Sequence, residues 1–113
     1  MIRQGEIYWF DPGRPRGSAP ALIRPHVVVQ NDLLNASAIR TTILCALTTN
    51  LRRAGAPSNV LLEAGEAGLP ERSVVNVTQI ITVDKEDLRD FIGRLSPERI
   101  RQIAFGLSMI LKP

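Results

Sequence analysis

Short runs of β-branched and aromatic residues alternate with turn residues along most of the chain, a pattern typical of a β-rich protein. The longest of these runs, at 73–83, has room for two strands or for one bent strand. In the first run, Tyr8 and Trp9 point to opposite faces, so we expect one of them in the core and the other on a surface or interface. Strands are predicted at 6–10, from Arg24 through 27–29, and at 41–47, 59–63, 73–83 and 91–95.

The C-terminal segment has the most regular spacing, that of an amphipathic helix. Ser96 suits the N-cap, Pro97 suits the first helical position, and Glu98 complements the helix dipole. Phe105 and Met109 fall on the far side of the helix, which indicates a partner surface. Partial burial under a loop is the alternative. The apolar stripe consists of Ile100, Ile103, Ala104, Leu107, Ile110 and Leu111.

Six or seven short strands followed by one helix predict a mainly β (α+β) fold, with a small antiparallel β-barrel or curled sheet. A chain of 113 residues fits one domain, which we place at 1–113. The composition agrees with this expectation, because 44% hydrophobic and 22% charged residues are ordinary for a globular protein.

The charge is uneven and indicates an anionic partner. The net charge is +3, with seven basic and three acidic residues in 1–62 against seven and eight in 63–113. A basic half favours nucleic acid as the partner. Twelve of the fourteen basic residues are arginine, which suits bidentate phosphate recognition. A GC-rich coding sequence would give the same arginine bias, and the two explanations carry equal weight.

Several classes of protein are excluded or disfavoured. The sequence has one histidine and one cysteine, so the usual zinc spacing, a disulfide and a two-histidine ribonuclease within one chain are all impossible. It contains no phosphate-binding glycine loop. The N-terminus does not resemble a secretory signal, and no apolar run approaches a membrane span. We therefore expect a cytoplasmic protein with no metal, no cofactor and no membrane association.

The stretch from Arg24 to Asp32 places a fixed cation at the start of a core strand. Pro25 pushes Arg24 into an extended conformation, and the valines that follow favour a strand. A guanidinium held in this way can bind phosphate. These residues alone, however, favour a surface arginine that merely flanks a strand. The only histidine, His26, more often occupies the core or a strand edge in such a valine run than acts in catalysis.

Two basic loops accompany this strand. Residues 12–23 form a long loop rich in proline and glycine that carries Arg14 and Arg16, and a mobile flap over a binding site is the functional interpretation. An unstructured hairpin loop is the alternative. The second loop, with Arg52 and Arg53, follows the hydroxyls that end the third predicted strand. Such hydroxyls can donate to a phosphate, although capping of the next turn is the commoner outcome.

The ordered set of motifs resembles the MazF/PemK/Kid family of toxin endoribonucleases. Each motif is weak alone, but their order and spacing hold over nearly the whole chain. They are Met-Ile-Arg-x-Gly-Glu-Ile-Tyr at the start, Gly17-Ser18, Arg24-Pro25-x-Val-Val-Val-Gln-Asn-Asp, Ala46-Leu47-Thr48, Leu69-Pro70-x-x-Ser73-Val-Val, Gln79-Ile80-x-Thr82-Val-Asp-Lys, Ile92-Gly93-x-Leu95 and the final amphipathic helix.

The resemblance implies a small SH3-like barrel that works as a homodimer and belongs to a type II toxin–antitoxin system. Members of the family cleave single-stranded RNA without metal, leave 2′,3′-cyclic phosphate and 5′-hydroxyl ends, and are inhibited by the acidic disordered tail of an antitoxin. Arg24 then corresponds to the catalytic arginine and Thr48 to its hydroxyl partner. The expected RNA contacts are Arg14, Arg16, Ser18, Thr49 and Gln79.

Departures from the family pattern affect specificity. Many relatives carry Glu-Gln after the Gly-Ser of the first loop, whereas Ala19-Pro20 stand here, so the preferred RNA sequence should differ. Some relatives also place a histidine of this loop and a late Asp-Arg near the scissile phosphate, and this sequence has neither. The rival hypotheses are a non-catalytic protein-binding toxin of the gyrase-poisoning CcdB type and a nucleic-acid-binding SH3-like regulator.

Overall fold

The computed structural model describes residues 1–13 and 23–113, and in these residues six strands form one antiparallel sheet. The strands follow the order β4-β5-β3-β2-β1-β6, and the sheet is curled into a half-barrel. The predicted mainly β fold is confirmed. The bounds are Glu6–Phe10 (β1), Arg24–Val28 (β2), Thr41–Thr48 (β3), Val60–Leu62 (β4), Ser73–Asp84 (β5) and Phe91–Arg94 (β6).

The helices join or cover these strands. A short helix, Asp32–Asn35 (α1), follows β2, and Pro97–Leu111 (α2) forms the predicted C-terminal helix. Ser96 caps α2, since its hydroxyl accepts the Arg99 amide at 3.2 Å. None of the helices in the described part of the chain is long and apolar enough to span a membrane. Short 3₁₀ helices lie at Leu51–Gly55, Glu66–Gly68 and Lys85–Asp87.

β5 is a single strand with a bulge, which decides between the two predicted possibilities. Cys45 of β3 pairs with Ile80 and the next residue, Ala46, pairs with Asn76. Three residues of β5, at 77–79, therefore have no partner on β3, and the strand bends there. The Asn59 side chain supports the bulge, because its carbonyl oxygen accepts the Val77 amide at 3.1 Å.

The main core lies between the curled sheet and α2. Ile7, Val27, Cys45 and Val75 are fully buried there, and Ile103 of α2 packs against them. The predicted apolar stripe of α2 is only partly buried. Ile100, Leu107 and Ile110 contact the core, whereas Ala104 and Leu111 are exposed because the sheet covers less than the full width of the stripe.

A second, smaller cluster lies on the opposite face of the sheet. Phe10, Val28 and Leu44 are among its buried residues. The expectation that Tyr8 or Trp9 is a core residue is wrong. Tyr8 is half-buried at the border of this cluster and Trp9 is 36% exposed, because Ile7 and Phe10 take the core positions of β1.

The turn after β2 is held by a buried polar network. Asn31 caps α1 through its side-chain oxygen, which accepts the Leu33 amide at 2.8 Å. The Asn35 side chain accepts from Gln30 and from Thr42, both at 2.9 Å, so it ties β2 to β3. The side-chain donors of Gln30, Asn35 and Thr42 all have partners, and such satisfied networks favour one arrangement over its alternatives. Gln30, Asn31 and their neighbours are thus structural residues.

The open side of the half-barrel is closed by a close approach between backbones. A Cβ atom added to Gly93 of β6 would overlap the Ala67 carbonyl oxygen in the second 3₁₀ helix. The ion pair between Arg99 and Glu66, at 2.7 Å, joins the same 3₁₀ helix to α2. This pair holds the pKa of Glu66 below its ordinary value.

Gly93→Ala should therefore destabilise the fold by about 1–3 kcal/mol, because the added methyl must displace backbone atoms and cannot be relieved by a rotamer change. The free energy of unfolding in urea measures the effect. Gly55→Ala is the matched control, since nothing lies within 4 Å of a Cβ at Gly55. Equal stability of the two variants would contradict the proposed closure.

Candidate active site

A cavity of about 240 Å³ opens at the end of the sheet where β2 begins and β3 ends. Arg24, Thr48 and Thr49 line it, so the predicted catalytic pair and one predicted RNA contact meet at one place. The other lining residues are Trp9, Ile23, Pro25, Leu47, Leu69, Pro70, Glu71 and Ser73.

The strand register explains why Arg24 and Thr48 meet. β2 and β3 are antiparallel, and His26 is paired with Ala46. Two residues further toward the end of the sheet, the same register places Arg24 opposite Thr48. On its other side, Arg24 is paired with Phe10 of β1. Both side chains are half-buried and stand on rigid strands.

The Thr48 hydroxyl also serves the local turn. Its oxygen accepts the Asn50 amide at 3.1 Å, and the Asn50 side chain in turn accepts the Arg52 amide at 3.2 Å. Capping of the next turn, the commoner outcome for such hydroxyls, is therefore observed. This bond uses a lone pair of the hydroxyl, so its proton is still available for a ligand.

The backbone of Arg24 is held by the only histidine. His26 Nδ1 lies 2.9 Å from the Arg24 carbonyl oxygen, which fixes Nδ1 as the protonated nitrogen. The imidazole is 3% exposed and packs edge-on against Phe10, with ring centroids 5.2 Å apart. Burial lowers the pKa of His26 below its ordinary value. His26 is a core residue beneath the cavity and is absent from its lining.

The remaining predicted contacts lie elsewhere. Gln79 is exposed on the bulge of β5. Its neighbour Ile80 pairs with Cys45, and Cys45 precedes Thr48 by three residues on β3. Gln79 does not line the cavity. Arg14, Arg16 and Ser18, together with most of the predicted flap, lie outside the described residues.

Two other kinds of site are not formed by the described residues. Cys45 is fully buried, and burial raises the pKa of its thiol to about 12, so it is no nucleophile at neutral pH. Within 1–13 and 23–113, no group of three or more His, Cys, Asp or Glu side chains could hold a metal ion.

Sequence reasoning assigned no site role to five of the residues around Arg24. Trp9 was expected to lie either in the core or on a surface, and Leu69, Pro70 and Ser73 entered only as family motifs. No sequence pattern indicated a site role for Glu71, because its nearest neighbours in sequence form an exposed, turn-rich connection. The one available cue was that the Leu-Pro-x-x-Ser motif precedes β5, which pairs with β3.

Comparison with known proteins decides the family. The pattern of the PemK-like, MazF-like toxins of type II toxin–antitoxin systems matches residues 3–111. The chain belongs to this family. The predicted family is thereby confirmed, and this MazF-like toxin matches the family over nearly the whole length of the chain.

Curated relatives and solved structures agree with this assignment. Endoribonuclease MazF2 of Mycobacterium bovis and Endoribonuclease MazF6 of Mycobacterium tuberculosis are each 43% identical over 98% of this chain and 97% of the relative. The structure of a mycobacterial endoribonuclease with its cognate antitoxin superposes with a TM-score of 0.80. It is 25% identical and covers 100% of this chain and 98% of that one.

The lowered pKa of His26 predicts an acid-sensitive fold. The unfolded chain takes up a proton at the ordinary histidine pKa of 6.5, whereas the folded chain takes it up only at lower pH. The free energy of unfolding should therefore be level above about pH 6.5 and fall as the pH drops toward the folded-state value.

Urea unfolding between about pH 8 and pH 5, followed by Trp9 fluorescence, measures this slope. His26→Leu should flatten the curve, since His26 is the only histidine. A level wild-type curve down to about pH 5 would contradict a lowered pKa of His26 in the folded protein.

Proposed function

We propose that this MazF-like toxin is a sequence-selective, metal-independent endoribonuclease that cuts single-stranded RNA and so inhibits translation and growth. The enzyme class follows from curated relatives, 43% identical, that are named as endoribonucleases. The observation that carries the residue assignment is that Arg24 and Thr48 line one cavity.

The proposed reaction is a transesterification within the RNA. The 2′-oxygen attacks the adjacent phosphorus and loses its proton, the bond from phosphorus to the 5′-oxygen breaks, and that oxygen gains a proton. The products carry a 2′,3′-cyclic phosphate and a 5′-hydroxyl. Between these steps the phosphorane bears extra negative charge on its non-bridging oxygens, and stabilising that charge lowers the barrier.

Arg24 suits this role. Its guanidinium offers a planar fork of donors that matches two phosphorane oxygens, and its place at the start of β2 limits its movement. The Thr48 hydroxyl, oriented by the Asn50 amide, can donate to a further oxygen. Thr49, which follows it in the cavity wall, is a proposed RNA contact.

Neither catalytic side chain transfers protons well at neutral pH. A guanidinium keeps its proton at neutral pH, and a threonine hydroxyl is no base. Charge stabilisation and alignment of the 2′-oxygen with the departing 5′-oxygen must therefore supply most of the rate. Catalysis without an efficient acid or base fits an enzyme that acts slowly on selected sequences.

The RNA path extends beyond the cavity in this proposal. Gln79 and the loop residues Arg14, Arg16 and Ser18 are the further proposed contacts. Arg52 and Arg53 are exposed on the 3₁₀ helix that follows Thr48 and Thr49, so positive charge continues along the chain from the cavity. Such charge attracts an RNA backbone.

The partners are inferred from the family. One solved relative is bound to its cognate antitoxin, and two solved complexes from Deinococcus radiodurans pair MazE with MazF. We infer that an acidic, disordered antitoxin tail covers the RNA site of this toxin by charge and strand addition. The proposed setting is a homodimer in the cytoplasm. The family match does not favour the gyrase-poisoning CcdB type.

Arg24→Ala should lower the rate of RNA cleavage by on the order of 100-fold or more, because it removes a contact to the phosphorane. Cleavage of a long RNA by the purified protein is measured in excess chelator. Arg40→Ala is the matched control, since Arg40 is exposed just before β3, at the strand end opposite Thr48. Near wild-type cleavage by a folded Arg24→Ala protein would refute the assignment.

The homodimer is proposed to bury strand residues and part of α2. Phe105 is 69% exposed and Met109 42% exposed in the single chain, and their patch has apolar surface available for a partner. Phe105→Asp should shift the protein from dimer to monomer at micromolar concentration in sedimentation. Leu33→Asp, at an 85% exposed leucine of α1, is the control and should leave the dimer intact.

A wild-type monomer at micromolar concentration would contradict the proposed homodimer. Persistence of the dimer in Phe105→Asp would place the interface on another surface.

A further inference from the structure

An acidic side chain lines the cavity that is proposed to bind an RNA phosphate. Glu71 is exposed there and lines the same cavity as Arg24 and Thr48. A carboxylate repels phosphate oxygens, so Glu71 is not expected to hold the backbone of the RNA. Its position is better explained by a donor group on the ligand.

The loop that carries Glu71 is fixed at both ends. Leu69 is 1% exposed and Ser73 is 4% exposed, and Ser73 begins β5, where it pairs with Leu62 of β4. The Ser73 hydroxyl donates to the Glu71 carbonyl oxygen at 3.0 Å. The backbone of Glu71 is therefore anchored, while its side chain extends from an exposed position.

The Glu71 carboxylate is not used by the ion pairs formed among the described residues. Its neighbour Arg72 donates instead to Glu63, at 3.1 Å. The other two ion pairs among the described residues join Arg89 to Asp11 and Arg99 to Glu66. The carboxylate thus keeps acceptor capacity for a ligand in the cavity.

The rest of the cavity wall suits a flat ring. Trp9 is 36% exposed and is paired across the β1–β2 ladder with Pro25, another lining residue. Pro70 precedes Glu71 in the wall. Unpaired bases of single-stranded RNA stack on aromatic side chains and present their Watson–Crick edges for hydrogen bonding.

We propose that this cavity holds a nucleobase that carries an exocyclic amino group, next to the phosphate at Arg24. The base stacks on Trp9, and its amino group donates to the Glu71 carboxylate. Adenine, cytosine and guanine carry such a group and uracil does not, so Glu71 selects among bases at this position. The inference rests on the proposed function, because it assigns part of the RNA sequence preference to the same site.

Trp9 fluorescence gives a direct measurement, since Trp9 is the only tryptophan of the chain. The probes are short 2′-O-methyl oligonucleotides, which cannot be cleaved, with one amino-bearing base in a uridine background. Each is matched with an analogue that lacks the amino group, such as hypoxanthine for guanine or purine for adenine. The wild-type protein should bind at least one amino-bearing probe about 10- to 100-fold more tightly than its analogue.

Glu71→Ala should reduce this preference to less than about threefold, and Glu71→Gln, which keeps one acceptor oxygen, should give an intermediate value. Glu86→Ala, at an exposed glutamate of the third 3₁₀ helix, should keep the wild-type preference. Absence of any preference in the wild type would overturn the inference, as would its full retention in Glu71→Ala.

Parallel cleavage assays separate this inference from the proposed function. Cleavage without amino-group preference would overturn the base site alone, and preference without cleavage would overturn the nuclease alone. Equal loss of cleavage on all substrates in Glu71→Ala, with the binding preference unchanged, would assign Glu71 to proton transfer and overturn the base site.

Discussion

The register between β2 and β3 is the constraint on which the site depends. The pairing of His26 with Ala46 sets Arg24 opposite Thr48, and a slip of one residue would turn every side chain of β2 to the other face. Both faces of β2 are buried, with Val27 in the main core and Val28 in the second cluster. A slipped register would therefore bury Arg24 or expose valines, and either is unfavourable.

The same register is secured at its other end. Gln30, just beyond β2, and Thr42 of β3 both donate to the Asn35 side chain, and Lys85 donates to the Asn35 carbonyl oxygen at 2.8 Å. Polar contacts thus fix one end of the strand pair, and the core fixes its middle. The free end, with Arg24 and Thr48, can then present functional groups without having to stabilise the fold.

The sequence predicted well what depends on local pattern. The cap of α2, the strands and the place of Arg24 at a strand start all follow from spacing and residue type, and the ordered motifs indicated the family. Features that depend on distant contacts were missed. Trp9 and Glu71 lie about sixty residues apart in the chain and meet only because the sheet curls. Likewise, the β5 bulge is supported by Asn59, which no local pattern connects to it.

Cleavage in the cavity lined by Arg24 and Thr48 is proposed to proceed by attack of the RNA 2′-oxygen on the adjacent phosphorus. The most direct measurement is cleavage, in excess chelator, of an oligonucleotide cut by the wild-type protein, compared with the same oligonucleotide carrying one 2′-deoxy residue at the cut. The account predicts 2′,3′-cyclic phosphate and 5′-hydroxyl ends on the first substrate and no cleavage at that position on the second. Undiminished cleavage of the 2′-deoxy substrate, or products with a 5′-phosphate, would contradict it.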